Sequence, residues 1–446
     1  VVGSTAQINV AAAHGQAGVW KLTAGQVNID QAAANVIGQT LNQGHVLVAA
    51  IAQNGAGGNI ELASNAVIQK TSGTQNSTLS LTADGTINLA GRISQLLDAP
   101  LTVEMVAKEI NVQSGASVAT YNITISGSNT VNIWGDLFGQ GSNPFVNVLA
   151  GVFNLFGAIS ANTSQGQGGR VQINAGNINL NARSRIEADG EDGGEVTLVA
   201  TDTINIQSAT VQTNGSNGRG GSISISGVQQ TLLSSASILA IGLEQGGKIL
   251  IGNDAKHGTL PFSVYTNLDA FTSIHAGQIN PDSLAGGFIE TSGQTLGLLA
   301  AINAGRGGMW LLDPNNVNIT TTATSGGTLP SYSASAPSSV VNATDLQNQI
   351  NAGTSVTIIA SGTITQTSNL SFAPASGVNV SLTYDTRTGT AQSITLNGTT
   401  TNTGAGNLTL NYLSSGQIII SGAINSTSTG KINVVAQSFF ATNTNQ

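Results

Sequence analysis

The sequence predicts an all-β protein of stacked parallel coils, a β-solenoid. Three observations carry that prediction. A short phrase of two glycines, one variable residue and an apolar residue recurs at Gly57, Gly168, Gly193, Gly220, Gly246, Gly286 and Gly307. From Gly168 to Gly246 its steps are about 25 to 27 residues, the period of one solenoid coil. The segments that follow alternate apolar and polar residues with period two, so one face points inward and the other outward. The composition agrees. The chain has 446 residues with 56 glycines and only 8% charged residues, its polarity coming from Asn, Ser, Thr and Gln. Such side chains suit a β surface and can form hydrogen-bonded ladders when stacked.

The strands are short and dense. Val27–Ile29, Thr78–Leu81, Thr86–Leu89, Ile123–Ile125, Val171–Ile173, Val196–Leu198, Ile204–Ile206, Ile223–Ile225, Ile249–Ile251, Leu408–Leu410 and Ile432–Val434 all alternate. Gly, Asn, Asp and Ser between them supply turns. An antiparallel sandwich is the structural rival. Asn214-Gly215 and Asn397-Gly398 are hairpin-type dipeptides, but a sandwich does not repeat one phrase at fixed spacing. Two interruptions break the pattern, an apolar bump at Ser94–Pro100 and a Thr/Ser/Ala/Gly/Pro-rich stretch at Thr320–Ser339 that reads as an extruded loop. Asn342–Gly353 then reads as one short helix, with an N-cap near Asn342–Thr344 and a terminating glycine.

A longer repeat is superimposed. Gly18–Ile29 (GVWKLTAGQVNI) aligns with Gly308–Ile319 (GMWLLDPNNVNI) at an offset of about 290 residues. Leu41–Ala50 resembles Ile350–Ile359. The expected organisation is one β-helix unit over 1–307 and the start of a related unit over 308–446, with an inserted loop at 320–340. The full-length protein is expected to carry tandem units.

Charge and cysteine content narrow the function classes. Net charge is −8 and there is no basic stripe, so nucleic acid is not an expected partner. No run reaches the ~18 apolar residues of a spanning helix. The absence of cysteine suits a chain exported unfolded.

Candidate chemistry is sparse. The best acidic cluster is Glu187, Asp189, Glu191 and Asp192. It could offer oxygens to Ca²⁺, or simply form a solvated turn with its neighbouring glycines. His14, His45, His257 and His275 have no metal-ligand spacing, and Asp254–His257 (DAKH) reads as a corner loop. A sugar-cleaving enzyme needs clustered acids that the chain lacks elsewhere. No cofactor is expected and the chain reads as a non-enzyme. Trp20 and Trp310 occupy equivalent places in the long repeat and could stack on sugar or fill corners. Phe145, Phe153, Phe156, Phe439 and Phe440 are read alike. Asn-x-Ser/Thr triplets at Asn76, Asn122, Asn318, Asn342 and Asn407, among others, are possible glycosylation acceptors.

Gly246–Asn253 (GGKILIGN), Gly286–Gly293 (GGFIETSG) and Asn303–Ile319 (NAGRGGMWLLDPNNVNI), in this order, resemble the exoproteins of bacterial two-partner secretion, the filamentous haemagglutinins and high-molecular-weight adhesins. Gly58–Ile93 resembles the coils that follow the Trp-Leu-Leu-Asp-Pro phrase in that family. Ser94–Ser164 matches poorly. The resemblance implies a right-handed parallel β-helix, export through an outer-membrane transporter partner, and an extracellular adhesin role at the bacterial surface toward a host-cell or matrix glycan or protein receptor. It also allows glycosylation at such Asn residues. Self-association into a structural fibre is the alternative, and a glycan-active enzyme a further one. The Asn-Pro-Asn type motif of the family's secretion domain is not found, Asn143-Pro144-Phe145 not being that motif. The chain is therefore expected to be a fragment downstream of the secretion domain.

Overall fold

In the computed structural model, residues 6–11, 17–52, 57–96, 98–280, 282–321, 339–389, 392–427 and 429–442 are described. Most of the predicted loop, residues 322–338, and His14 lie outside them. The chain forms a parallel β-solenoid of about 16 turns with few helices. It divides into two compact units, Val1–Thr201 with Gln207–Thr213, and Asp202–Ile206 with Asn214–Gln446.

The first unit has three faces. On the first, Val19–Ala24, His45–Ala50, Ser77–Ala83 and Leu101–Val112 pair in parallel register. On the second, Gln26–Ile29, Asn59–Leu62 and Thr86–Leu89 stack, and Thr86–Leu89 pairs with the far half of Leu101–Val112. From Leu101 onward one strand therefore runs round the corner between two faces. The same holds for Asn122–Ile133, Phe145–Leu155 and Arg170–Leu180. The register slips between Gly127 and Thr130, where the corner falls. The third face is built of short strands from Val67–Lys70 to Thr210–Gln212.

The core consists of columns. Ile68, Ile93, Val118, Leu137, Ile159, Ile186 and Val211 lie one above another in successive coils of the third face, each fully buried. Ile60, Ile87, Ile110, Val131, Phe153 and Ile178 make the equivalent column of the second face. Burial of each such side chain contributes roughly 1.5–3 kcal/mol.

The bump at Ser94–Pro100 encloses a buried cation. Lys70 ends its strand pointing inward, and its Nζ donates to the carbonyls of Gly73 (3.2 Å), Gln75 (2.6 Å) and Pro100 (2.8 Å). Three ammonium hydrogens meet three acceptors. Burial lowers the Lys70 pKa.

One helix interrupts each unit. The first, α1 (Gln31–Leu41), is capped by Asp30, whose side chain accepts from the Ala33 N–H at 2.8 Å. It stands where a third-face strand would be and packs on Val67–Lys70. Gln31 accepts the Val67 N–H at 3.0 Å, and Asn42 accepts those of Thr71 and Ser72. Side-chain amides thus satisfy a strand edge that has no backbone partner. The second, α2 (Ala343–Asn351), does the same. Gln349 donates to the Ile302 carbonyl at 2.7 Å, while Gln347 and Asn351 accept the N–H groups of Ser371 and Ala373. Its N-cap is Asn342, and Gly353 follows with φ +91°, as the sequence predicts. Both halves of the long repeat carry two strands, a helix and a further strand, Val19–Ala24, Gln26–Ile29, α1, His45–Ala50 and Met309–Asp313, Val317–Thr320, α2, Ser355–Ile359, but the second has an additional strand, Ser339–Asn342, directly before its helix, paired in parallel with Val317–Thr320.

In the second unit one face runs from Ser222–Gly227 through Lys248–Ile251, Phe288–Ser292, Met309–Asp313 and Ser355–Ile359 to Asn379–Asp385, Asn407–Leu413 and Lys431–Val435. These pairings are all parallel, which excludes the sandwich.

Two substitutions test this packing. Ile159→Ala should lower stability by roughly 2–5 kcal/mol in chemical denaturation, whereas Thr197→Ala on the outward face should change it little. Gly38→Ala should destabilise although alanine favours helix, because a Cβ there would lie 2.5 Å from the Gln69 carbonyl oxygen.

Candidate functional site: an amide ladder and the outer faces

On the second face of the first unit, outward positions of successive coils carry the same chemistry. The strands read TINL, EINV, TVNI, VFNL and NINL, with asparagine between two buried apolar residues each time. Parallel register sets these asparagines one coil apart, about 4.8 Å. Their amides form a continuous ladder. Asn88 donates to Glu61 Oε1 at 2.8 Å, Asn111 to Asn88 at 2.9 Å, Asn132 to Asn111 at 2.9 Å, Asn154 to Asn132 at 2.8 Å and Asn179 to Asn154 at 2.9 Å. A primary amide has two N–H donors and two acceptor lone pairs. The ladder takes one of each from Asn132 and Asn154 and leaves one of each to face outward. Shorter runs recur in the second unit, where Asn433 donates to Asn411 and Asn407 to Asn379, both at 2.7 Å.

At the end of that face the structure places two aromatic rings. Trp134 and Phe156 stack with centroids 5.5 Å apart and planes 9° apart, both exposed. Phe156 does not fill a corner as expected, and sequence reasoning passed over Trp134. The isolated aromatic in an outward register was the available signal. Phe153 is fully buried in a core column. Trp310 is buried too, its Nε1 donating to Thr291 Oγ1 at 3.0 Å, so it is closed to a sugar, while Trp20 is half-buried.

The acidic cluster is a turn stitched to neighbouring coils. Glu187 accepts from Asn162 at 3.2 Å and lies 3.7 Å from Arg185. Asp189 accepts from Gln212, Glu191 accepts the Gly166 N–H at 2.7 Å, and the Asp192 carbonyl accepts the Gly168 N–H at 2.8 Å. Among the described residues no group of three or more His, Cys, Asp or Glu is placed to hold a metal ion. His45 accepts the Thr78 N–H through Nδ1, and burial lowers the pKa of His275.

The DAKH segment has a different role. The loop between Gly252 and Ser263 folds over the sheet and seals Glu290, which is fully buried. Glu290 Oε1 accepts the Ala255 N–H and the Ser292 hydroxyl, both at 2.9 Å, while Oε2 has no partner. Burial, helped by the charges of Asp313 and Asp254, raises its pKa to about 7. Burial likewise raises Asp313 to about 6 against its bond from Asn253. At Asp254 burial acts upward, but bonds from Thr259 and His257 prevail and its pKa is lowered. Lys256 lies over the Phe288 ring at 4.3 Å. This is a tuned carboxyl that no substrate reaches while the loop is closed.

A polar groove of about 320 Å³ lies between α1 and Val67–Lys70, lined by Gln31, Asn35, Gln39, Asn42 and Gln69. Of the glycosylation candidates, Asn76 and Asn407 are exposed, Asn122 and Asn318 half-buried, and Asn342 caps α2 with its side-chain oxygen.

No family model matches the sequence, and no curated protein matches it. Among solved structures, the chain is similar to the crystal structure of the HMW1 secretion domain from Haemophilus influenzae. The TM-score is 0.39 with 14% identity, over 66% of this chain and 89% of that one. A likeness this low carries no functional argument.

Glu290 makes stability depend on pH. Its pKa is raised from 4.5 to about 7 on folding, so between these values the folded state holds more protons than the unfolded chain. Stability then falls as pH rises through that window. Glu290→Gln should flatten most of this fall and add on the order of 3 kcal/mol above pH 7, Asp313 accounting for the remainder. Denaturation midpoints at pH 5 and pH 8 check it.

Proposed function

We propose that this chain is part of a secreted β-solenoid exoprotein that works at the bacterial surface as an adhesin-like shaft, exported through an outer-membrane transporter partner. The observation that carries the reading is the outer face. It is a repeated lattice of amides, sparse in charge, on a scaffold where Asp30, Glu187, Glu191, Asp254 and Glu290 bond within the coils and loops. A host-cell or matrix glycan or protein is the proposed receptor, bound through many weak contacts whose avidity accumulates along the lattice. The sequence phrases at Gly246–Asn253, Gly286–Gly293 and Asn303–Ile319 support the secretion class.

The reading is non-enzymatic, because the carboxyl tuned closest to neutrality is sealed beneath its loop. The helix that follows the aligned phrase in both halves supports tandem units, with 1–307 as one and 308–446 opening the next. A structural fibre built of such units is the second reading. Asn76 and Asn407, the two exposed asparagines among the five named triplets, are the proposed first acceptors of any glycosylation.

Deleting the reading frame in its source bacterium should reduce attachment to cells or matrix several-fold, with complementation restoring it, and protease added to intact cells should cleave the product. A product that stays protected inside the cell would overturn the proposal.

A further inference from the structure

We infer that Trp134 and Phe156, with the amides beside them, form a subsite for a neutral oligosaccharide. The inference deepens the adhesive reading and rests on it only for the biological setting.

The two rings are held in equivalent positions of adjacent coils. The Trp134 N–H donates to the Val112 carbonyl and the Phe156 N–H to the Ile133 carbonyl, both at 2.8 Å. Each is followed by a glycine, and a Cβ on Gly157 would lie 1.9 Å from the Gly135 oxygen. Only bare backbone fits this turn, so the coils approach closely and the rings stay in register. They stand outside the core, Trp134 at 38% and Phe156 at 42% exposure. The same position holds Gln113 one coil before and Asn181 one coil after. The stacked pair is thus bracketed by two amides along the solenoid and bordered by the rungs Asn132 and Asn154, two residues earlier in each strand.

That combination selects a chemistry. Aromatic faces take up the C–H face of a pyranose ring, and a few fixed amides accept and donate to its hydroxyls. Nucleobases also stack on aromatic platforms, but such sites run along a positively charged groove. Here Asp136, two residues after Trp134, and Arg185, in register with Ala158 two residues after Phe156, put one acid and one base beside the rings rather than a positive groove, and the chain carries a net charge of −8. Arg185 is already paired with Glu187 at 3.7 Å, so this row offers little positive charge to sialylated or sulfated glycans.

The test is binding of the purified chain to an array of neutral oligosaccharides (glucans, galactans and N-acetylhexosamine oligomers) beside sialylated and sulfated ones, followed by titration calorimetry on the best ligand. The wild type should bind neutral members with little change between 50 and 500 mM salt. Trp134→Ala should weaken binding at least tenfold, Trp134→Phe should retain most of it, and the thermal midpoint of each variant should stay near that of the wild type. Three results would overturn the subsite: no neutral glycan bound, binding confined to charged glycans, or affinity unchanged in the Trp134→Ala/Phe156→Ala double variant. Neutral-glycan binding that Trp134→Ala abolishes, with cell attachment unchanged in the deletion strain, would leave the subsite standing and overturn the adhesive reading alone. Loss of attachment in the deletion strain with the array negative would leave the adhesive reading standing without it.

Discussion

The strand residues of this chain are placed against residues one coil away, at the fixed spacing of a parallel ladder. That constraint decides which side chains the sequence can use. An aliphatic residue stacks well on another, so inward rows become unbroken columns such as Ile68 to Val211. A charge stacks badly on a like charge, and a low-dielectric sheet surface makes the repulsion worse. Charged residues are therefore few on the strands, and where two of them meet in register they complement each other, as Arg170 does over Glu195 at 3.0 Å. Asparagine is self-complementary, since its amide donates in one direction and accepts in the other. It can repeat without limit. The low charge and high Asn content are thus consequences of the stacking and not independent traits of the surface.

The two helices follow from the same constraint. A helix cannot continue a strand ladder, so its insertion leaves backbone groups of the neighbouring coil without partners. Both helices answer with Gln and Asn side chains aimed at those groups, Gln31 and Asn42 in one case, Gln347, Gln349 and Asn351 in the other. The helix must also come as close as a strand would. At α1 this is possible because Gly38 has no side chain where it meets the Gln69 carbonyl.

Legibility in the sequence tracked how locally each feature is encoded. Strands and their parallel stacking were readable because period two and the glycine phrase are local signals, and α2 was readable from Asn342 and Gly353. The first helix was not read. Its apolar face is built of Ala33, Ala34, Val36, Ile37 and Leu41, in a composition that suggests strands everywhere, and Gly38 further disguises it. The strands that turn a corner without a break were read only in part, as the short stretches Ile123–Ile125 and Val171–Ile173, since nothing in the sequence marks the bend. The acids of Asp189–Asp192 were legible as a turn. The sealing of Glu290 was not, because the loop that covers it begins more than one strand earlier and only the fold brings the two together.

A solenoid separates its two jobs by the direction a side chain points. Inward positions are fixed by the columns, where a change disturbs the coils above and below. Outward positions touch mainly their ladder neighbours and can change at small energetic cost. Specific chemistry is therefore expected on outward rows, and most strongly where the coils have become regular enough to need no intervening turn. The run from Leu101 to Leu180 is that region, with corner-turning strands, the longest Asn ladder and the stacked Trp134 and Phe156. The Gly135 and Gly157 turns add the remaining requirement, because a stacked pair survives on a surface only if the backbone beneath it cannot shift. Core rigidity thus becomes the means by which an exposed, otherwise unfavourable pair of aromatic rings is kept in one place for a partner.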